Sequence, residues 1–260
     1  MKLNTREIAL ISAFAAAQVV MSRLPGIPTI GVQSGKIEPT VILVPIIGII
    51  LGPWIGGLAT FLGNFIAWLI PSVTFFGMLM LPTGPIGAIV AGALAKNDKR
   101  SNWKIAALIL SVLIALYYIS PIGIQVPFYA FIHLVALALI LIFRGKVSDL
   151  IRSDDKQKST WGTAIASFSG IMANHMTGTL IFIATIFLHV QLTGIIDTIK
   201  NLGFSALKSG IQKLDLTGLG TLLYWIAPIA VVERLVMTAI AVIIGTGVIF
   251  IVKNSGLIEI

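Results

Sequence analysis

The sequence predicts an all-α fold, a polytopic transmembrane helical bundle of six to eight spans. Three observations predict it. Of 260 residues, 57% are hydrophobic and 11% charged, where a soluble domain carries about 25% charged residues. Mean hydropathy is +1.01, and it lies in long continuous runs rather than the short alternating segments of a membrane barrel. Basic residues cluster between the runs, as at Lys96, Lys99, Arg100 and Lys104, and at Arg144, Lys146, Arg152, Lys156 and Lys158.

Taken in order, the apolar runs are 7–22, 38–51, 53–70, 75–95, 104–120, 125–143, 161–190 and 222–252. The first has no small-residue cleavage site after it and is expected to be retained as a span. The second and third are short of the roughly 20 residues a span needs. Only Leu51-Gly52-Pro53 separates them, so they read as a hairpin or as partly re-entrant. Gly48, Gly52, Gly56, Gly57 and Gly63 allow close packing there. The fourth run is broken by Pro82-Thr83-Gly84-Pro85. Such a break frees backbone groups that lipid cannot satisfy, so it belongs in a protein-buried or cavity-lining place. The fifth and sixth runs form a hairpin, 104–143. The whole chain, 1–260, reads as a single integral membrane domain.

The formal net charge of +8 reads as a topology signal rather than a nucleic-acid stripe. With both termini cytoplasmic, twelve basic residues fall inside and five outside; the reverse placement inverts that bias. The expected location is therefore the cell membrane, multi-pass. Two outer segments exceed simple turns. Residues 23–37 are rich in Pro and Gly and would lie over the mouth of the bundle. In 191–221, Ile195, Ile199, Leu202, Leu207, Ile211 and Leu214 recur at helical spacing among lysines, which predicts an external amphipathic segment. Packing element and lid are both open readings for it.

The last run carries Glu233 and Arg234. Ionisable groups at that depth cost roughly 2.5–3.5 kcal/mol each on insertion scales and by default mark a functional site. At 1.5 Å rise per residue, Glu233 lies about 16 Å from the outer end, and Asn174 and His175 about 20 Å from the inner end of their run. Across a core of about 30 Å these heights match, with Asn64 at comparable depth. The expected substrate-binding set is Asn64, Asn174, His175, Glu233 and Arg234. Because neighbours on a helix diverge by about 100°, only one of Glu233 and Arg234 is expected to face the cavity squarely. An internal lock between the two is the competing reading. Trp68 is a belt aromatic or a stacking platform for a planar ligand. His133 and His189 read as packing or interfacial residues.

No catalytic or metal constellation stands out. The chain has no cysteine, no His-Glu-x-x-His, no Gly-x-Ser-x-Gly and no phosphate-cradling Gly-Lys loop. Neither an enzyme nor a cofactor is expected, and any ATP-derived energy must come from a partner. On the first run, Ala9, Ala13 and Ala17 repeat every four residues, a smooth face fit for a neighbouring helix.

The alanine stripe, the Pro/Gly loop, Glu38-Pro39-Thr40, the Leu51-Gly52-Pro53-Trp54-Ile55-Gly56-Gly57 turn and Gly63-Asn64 occur in that order. Together they resemble the S component of energy-coupling factor (ECF) vitamin transporters, as a diverged subfamily. The resemblance is best over 1–95, fair over 161–190 and 222–252, and absent over 104–143, which reads as an additional hairpin on an S-component-like core. It implies a substrate-specific component of an ABC-type importer binding a small water-soluble nutrient such as a vitamin. It implies docking of Ala9, Ala13 and Ala17 on a T component served by two cytoplasmic ATPases. It also places Gln33, Lys36 and Glu38 on a gating loop over the ligand. The alternative function is a proton-coupled secondary transporter using Glu233 and His175.

Overall fold

The computed structural model describes residues 4–25, 27–28, 36–37, 39–70, 75–96, 102–187 and 216–255. Each of the eight apolar runs is helical over its described part. α1 spans Thr5–Arg23 and starts at a capping box in which Asn4 and Glu7 satisfy one another's backbone N–H groups. The 23–37 segment contains a two-residue antiparallel ladder, β1 (Ile27–Pro28) with β2 (Lys36–Ile37). α2 (Thr40–Leu51) and α3 (Pro53–Leu69) follow.

These two form a hairpin. Gly52 turns the chain at φ 78, a conformation that costs an L side chain roughly 1–2 kcal/mol. Pro53 then opens α3, where its missing N–H costs nothing. α2 buries almost every residue, against α3, α5, α10 and α11. Its twelve residues rise only about 18 Å, so it is a core helix shorter than the hydrocarbon layer. Close approach at its middle depends on glycine. A Cβ on Gly48 would lie 2.2 Å from the Ala88 carbonyl oxygen, and one on Gly56 2.9 Å from the Gly48 Cα.

The fourth run divides into α4 (Phe75–Met80) and α5 (Thr83–Ala95), the break falling at Leu81-Pro82, with Pro85 in the first turn of α5. The 104–143 segment is α6 (Trp103–Ile119), α7 (Pro121–Gln125), a 3-10 turn (Pro127–Ala130) and α8 (Phe131–Phe143). α9 (Lys146–Arg152) leaves that segment at 83°. α10 (Lys156–Phe187) and α11 (Leu216–Ser255) complete the bundle. α5 and α10 make the most extensive helix pair, and α1 sits on α3.

By length and apolarity, Gly77–Ala95 and Leu223–Lys253 suffice as spans, with Pro127–Phe143 plus Lys146–Arg152 as a bent third; α2, α3 and α6 are shorter apolar helices. The outer faces of α6, α8 and α11 expose Leu108, Val112, Phe131, Ile142, Val236, Ile243 and Ile251. So broad an apolar exterior suits lipid rather than water, and the chain is a multi-pass membrane protein.

Candidate functional site

Two cavities adjoin inside the bundle. The first, about 310 Å³, is bordered by Gln18, Arg23, Asn64, Trp68, Thr83 and Asn174 among others. The second, about 460 Å³, is bordered by Tyr129, Asn174, His175, Thr179, Glu233 and Arg234 with an apolar remainder. Val41, Met80, Thr83 and Asn174 border both. Each volume falls in the range of small-molecule pockets.

The first cavity is built on the broken helix. In an unbroken helix the Leu81 carbonyl would accept from residue 85, but Pro85 has no N–H. Asn64 Nδ2 donates to the Leu81 carbonyl instead, at 3.4 Å. Asn64 Oδ1 in turn accepts from Gln18 Nε2. Glycines admit both side chains: a Cβ on Gly84 would lie 2.6 Å from Asn64 Nδ2, and one on Gly63 2.9 Å from Gln18 Cβ. One amide thus ties α1, α3 and the α4–α5 break together. Arg23 Nη2 donates to the Ala67 and Ile70 carbonyls, a cation on the C-terminal end of α3.

The second cavity has a hydrogen-bonded wall. Tyr129 Oη lies 3.2 Å from His175 Nε2 and 3.2 Å from Thr179 Oγ1. His175 Nδ1 lies 3.2 Å from His133 Nε2, with the imidazoles stacked at 5.2 Å. Thr179 Oγ1 donates its proton to the His175 carbonyl. That sets a consistent direction: Tyr129 donates to Thr179, His175 Nε2–H to Tyr129, and His133 Nε2–H to His175 Nδ1. These tautomers are assigned from the network. On α11, Arg234 Nη2 stands 4.0 Å from Glu233 Oε2, and Arg234 Nη1 donates to Met237 Sδ at 3.1 Å.

The structure brings Asn174, His175, Glu233 and Arg234 to one cavity and puts Asn64 and Trp68 on its neighbour. The expected set is thus spread over two adjoining cavities that share Val41, Met80, Thr83 and Asn174. Both Glu233 and Arg234 border the second cavity. Trp225 borders neither cavity; it is exposed, with its ring edge against Tyr224. His133 is not a lipid-interface residue but fully buried and bonded to His175. Gln33, Glu38, His189 and 191–215 lie outside the described residues, and Lys36 is placed by its backbone alone. Ala9, Ala13 and Ala17 are exposed, opposite the buried Ile11, Ala15 and Gln18.

Gln18 and Tyr129 border the cavities without being among the expected residues, and His133, expected as a packing or interfacial residue, packs against His175. Tyr129 and His133 are polar residues at i, i+4 in an apolar run, and Gln18 is a lone amide in the first; each spacing was a usable signal.

Residues 2–129 match the family model of the ECF-type riboflavin transporter S component, so the first half of the chain is similar to that family. The match runs through α6 and into the turn beyond it, so it takes in the first arm of the hairpin, where the resemblance was expected to be absent. It ends before α8, so the later helices lie outside it. An uncharacterized protein of Methanocaldococcus jannaschii is 34% identical over 168 residues, 64% of this chain and 54% of that protein. The chain thus spans about half the length of the curated relative it matches. No solved structure matches.

Proposed function

We propose that this protein is the substrate-specific component of an ECF importer, one integral membrane domain with both termini cytoplasmic. It captures a small water-soluble nutrient of the vitamin class in the paired cavities. The carrying observation is that the family-matched α1 turns Ala9, Ala13 and Ala17 outward while its opposite face lends Gln18 to the first cavity. One helix thereby serves a smooth docking face and a binding wall. Its partners are a T component and two cytoplasmic ATPases, and it performs no chemistry of its own. The description of the matched family makes riboflavin the first ligand to try.

The test is uptake in cells lacking their own vitamin import. Expression of this chain with a T component and its ATPases is expected to restore accumulation of a vitamin, and omission of the ATPases to abolish it. Accumulation by proteoliposomes holding this chain alone, driven by a proton gradient, would overturn the reading in favour of a secondary transporter.

A further inference from the structure

One part of the second cavity retains unspent hydrogen-bonding capacity. Tyr129, His133, His175 and Thr179 are committed largely to one another. Phe182, Leu223 and Ile226 make the apolar side. Glu233 and Arg234 differ from both groups. Their charged atoms, 4.0 Å apart, are beyond hydrogen-bond distance. The partner of Arg234 Nη1 is the Met237 thioether, a weak acceptor. Arg234 Nε is buried without a partner among the described residues.

The two charges cancel, which limits what the gap accepts. A lone anion would reach Arg234 beside a carboxylate, and a lone cation would reach Glu233 beside a guanidinium. Either leaves one charge uncompensated in a poorly solvated place, which is costly. A neutral group with a donor next to an acceptor leaves none. Its carbonyl accepts from Arg234 and its N–H donates to Glu233.

Resting on the receptor reading above, we propose that Glu233 and Arg234 are the specificity-determining pair. They select a net-neutral ligand bearing an adjacent hydrogen-bond acceptor and donor, an amide or imide edge.

Nicotinamide and nicotinate serve as probes, since they share one ring and differ in that edge alone. Thermal unfolding of the full chain in mild detergent is followed against the concentration of each, and compounds released on denaturation are identified by mass spectrometry. The wild type is expected to respond to nicotinamide at a concentration at least tenfold below that needed for nicotinate. Glu233→Gln leaves a net positive site and is expected to reverse that order. Arg234→Met leaves a net negative one and is expected to abolish any response to nicotinate. The double variant Glu233→Gln/Arg234→Met restores neutrality, and is expected to unfold near the wild-type temperature while responding to nicotinamide at least tenfold more weakly. A wild-type preference for nicotinate, or an order unchanged in Glu233→Gln, would overturn the inference. So would no response to either probe from protein that still releases a compound. If the wild type neither releases a compound nor responds to any probe, riboflavin included, the receptor reading fails first.

Discussion

Asn64 shows how one side chain makes a broken helix tolerable inside a membrane. Its amide nitrogen takes the carbonyl that Pro85 strands, and its oxygen takes the Gln18 amide. Asn64→Ala removes both at once and leaves two buried groups unpaired, each worth about 1–3 kcal/mol. Thermal unfolding in detergent should show the loss, and Asn64→Asp, which keeps the acceptor for Gln18, should recover part of it. Tyr129→Phe tests the neighbouring wall. It keeps the ring against His175 but strips the hydroxyl from His175 and Thr179. The expected cost is again about 1–3 kcal/mol, with ligand binding weakened if the wall orients the cavity. Circular dichroism melts and binding titrations separate the two effects.

At the scale of elements, the decisive contacts are backbone to backbone. α2, α3 and α5 approach so closely that Gly48 faces the Ala88 carbonyl, and a Cβ on Gly92 would stand 2.6 Å from the Gly48 carbonyl. Neither neighbour is a side chain able to rotate away. Gly48→Ala should therefore cost at least the roughly 1–3 kcal/mol of overpacking, read as a lower unfolding temperature. Gly247, exposed on α11 with nothing within 4 Å of an added Cβ, is the control. Gly247→Ala should be neutral or stabilise by about 0.5–1 kcal/mol through helix propensity. A second tie lies far along the chain. Lys253 Nζ at the end of α11 donates to the Arg152 and Ser153 carbonyls, a cation on the C-terminal end of α9. It draws the last helix onto the turn before α10, and so helps hold together the two helices that bring His175 and Arg234 to one cavity.

At the scale of the whole molecule, α1 is a two-faced helix at the bundle's edge. Ile11, Ala15 and Gln18 face α3, and Ala9, Ala13 and Ala17 face outward. If the outward face docks on a T component, Ala13→Trp should reduce vitamin uptake by an order of magnitude or more in cells. Folding and ligand binding of the purified chain should be unchanged. Uptake and binding measured on the same variant distinguish a lost partner from a lost fold. Elsewhere on the bundle, α6, α8 and the outer face of α11 expose large aliphatic side chains, a surface suited to lipid.

Much of this was legible in the sequence, for identifiable reasons. Hydropathy, the proline break and the Gly-Pro turn are properties of single segments, and each run came out helical near its expected bounds. The alanine stripe needed only helical spacing to be read. Depth counting along two runs was enough to match Asn174 and His175 with Glu233 and Arg234, since rise per residue is a local quantity. Lateral position is not local. Which helices stand side by side, and which stand between, depends on packing of the whole bundle. Tertiary structure alone decided that Asn64 and Trp68 border one cavity and His175, Glu233 and Arg234 its neighbour. It alone made His133 the partner of His175, Asn64 the caretaker of a stranded carbonyl, and both Glu233 and Arg234 neighbours of the same cavity. A sequence records how deep a polar group lies in a membrane; only the assembled bundle determines what it meets there.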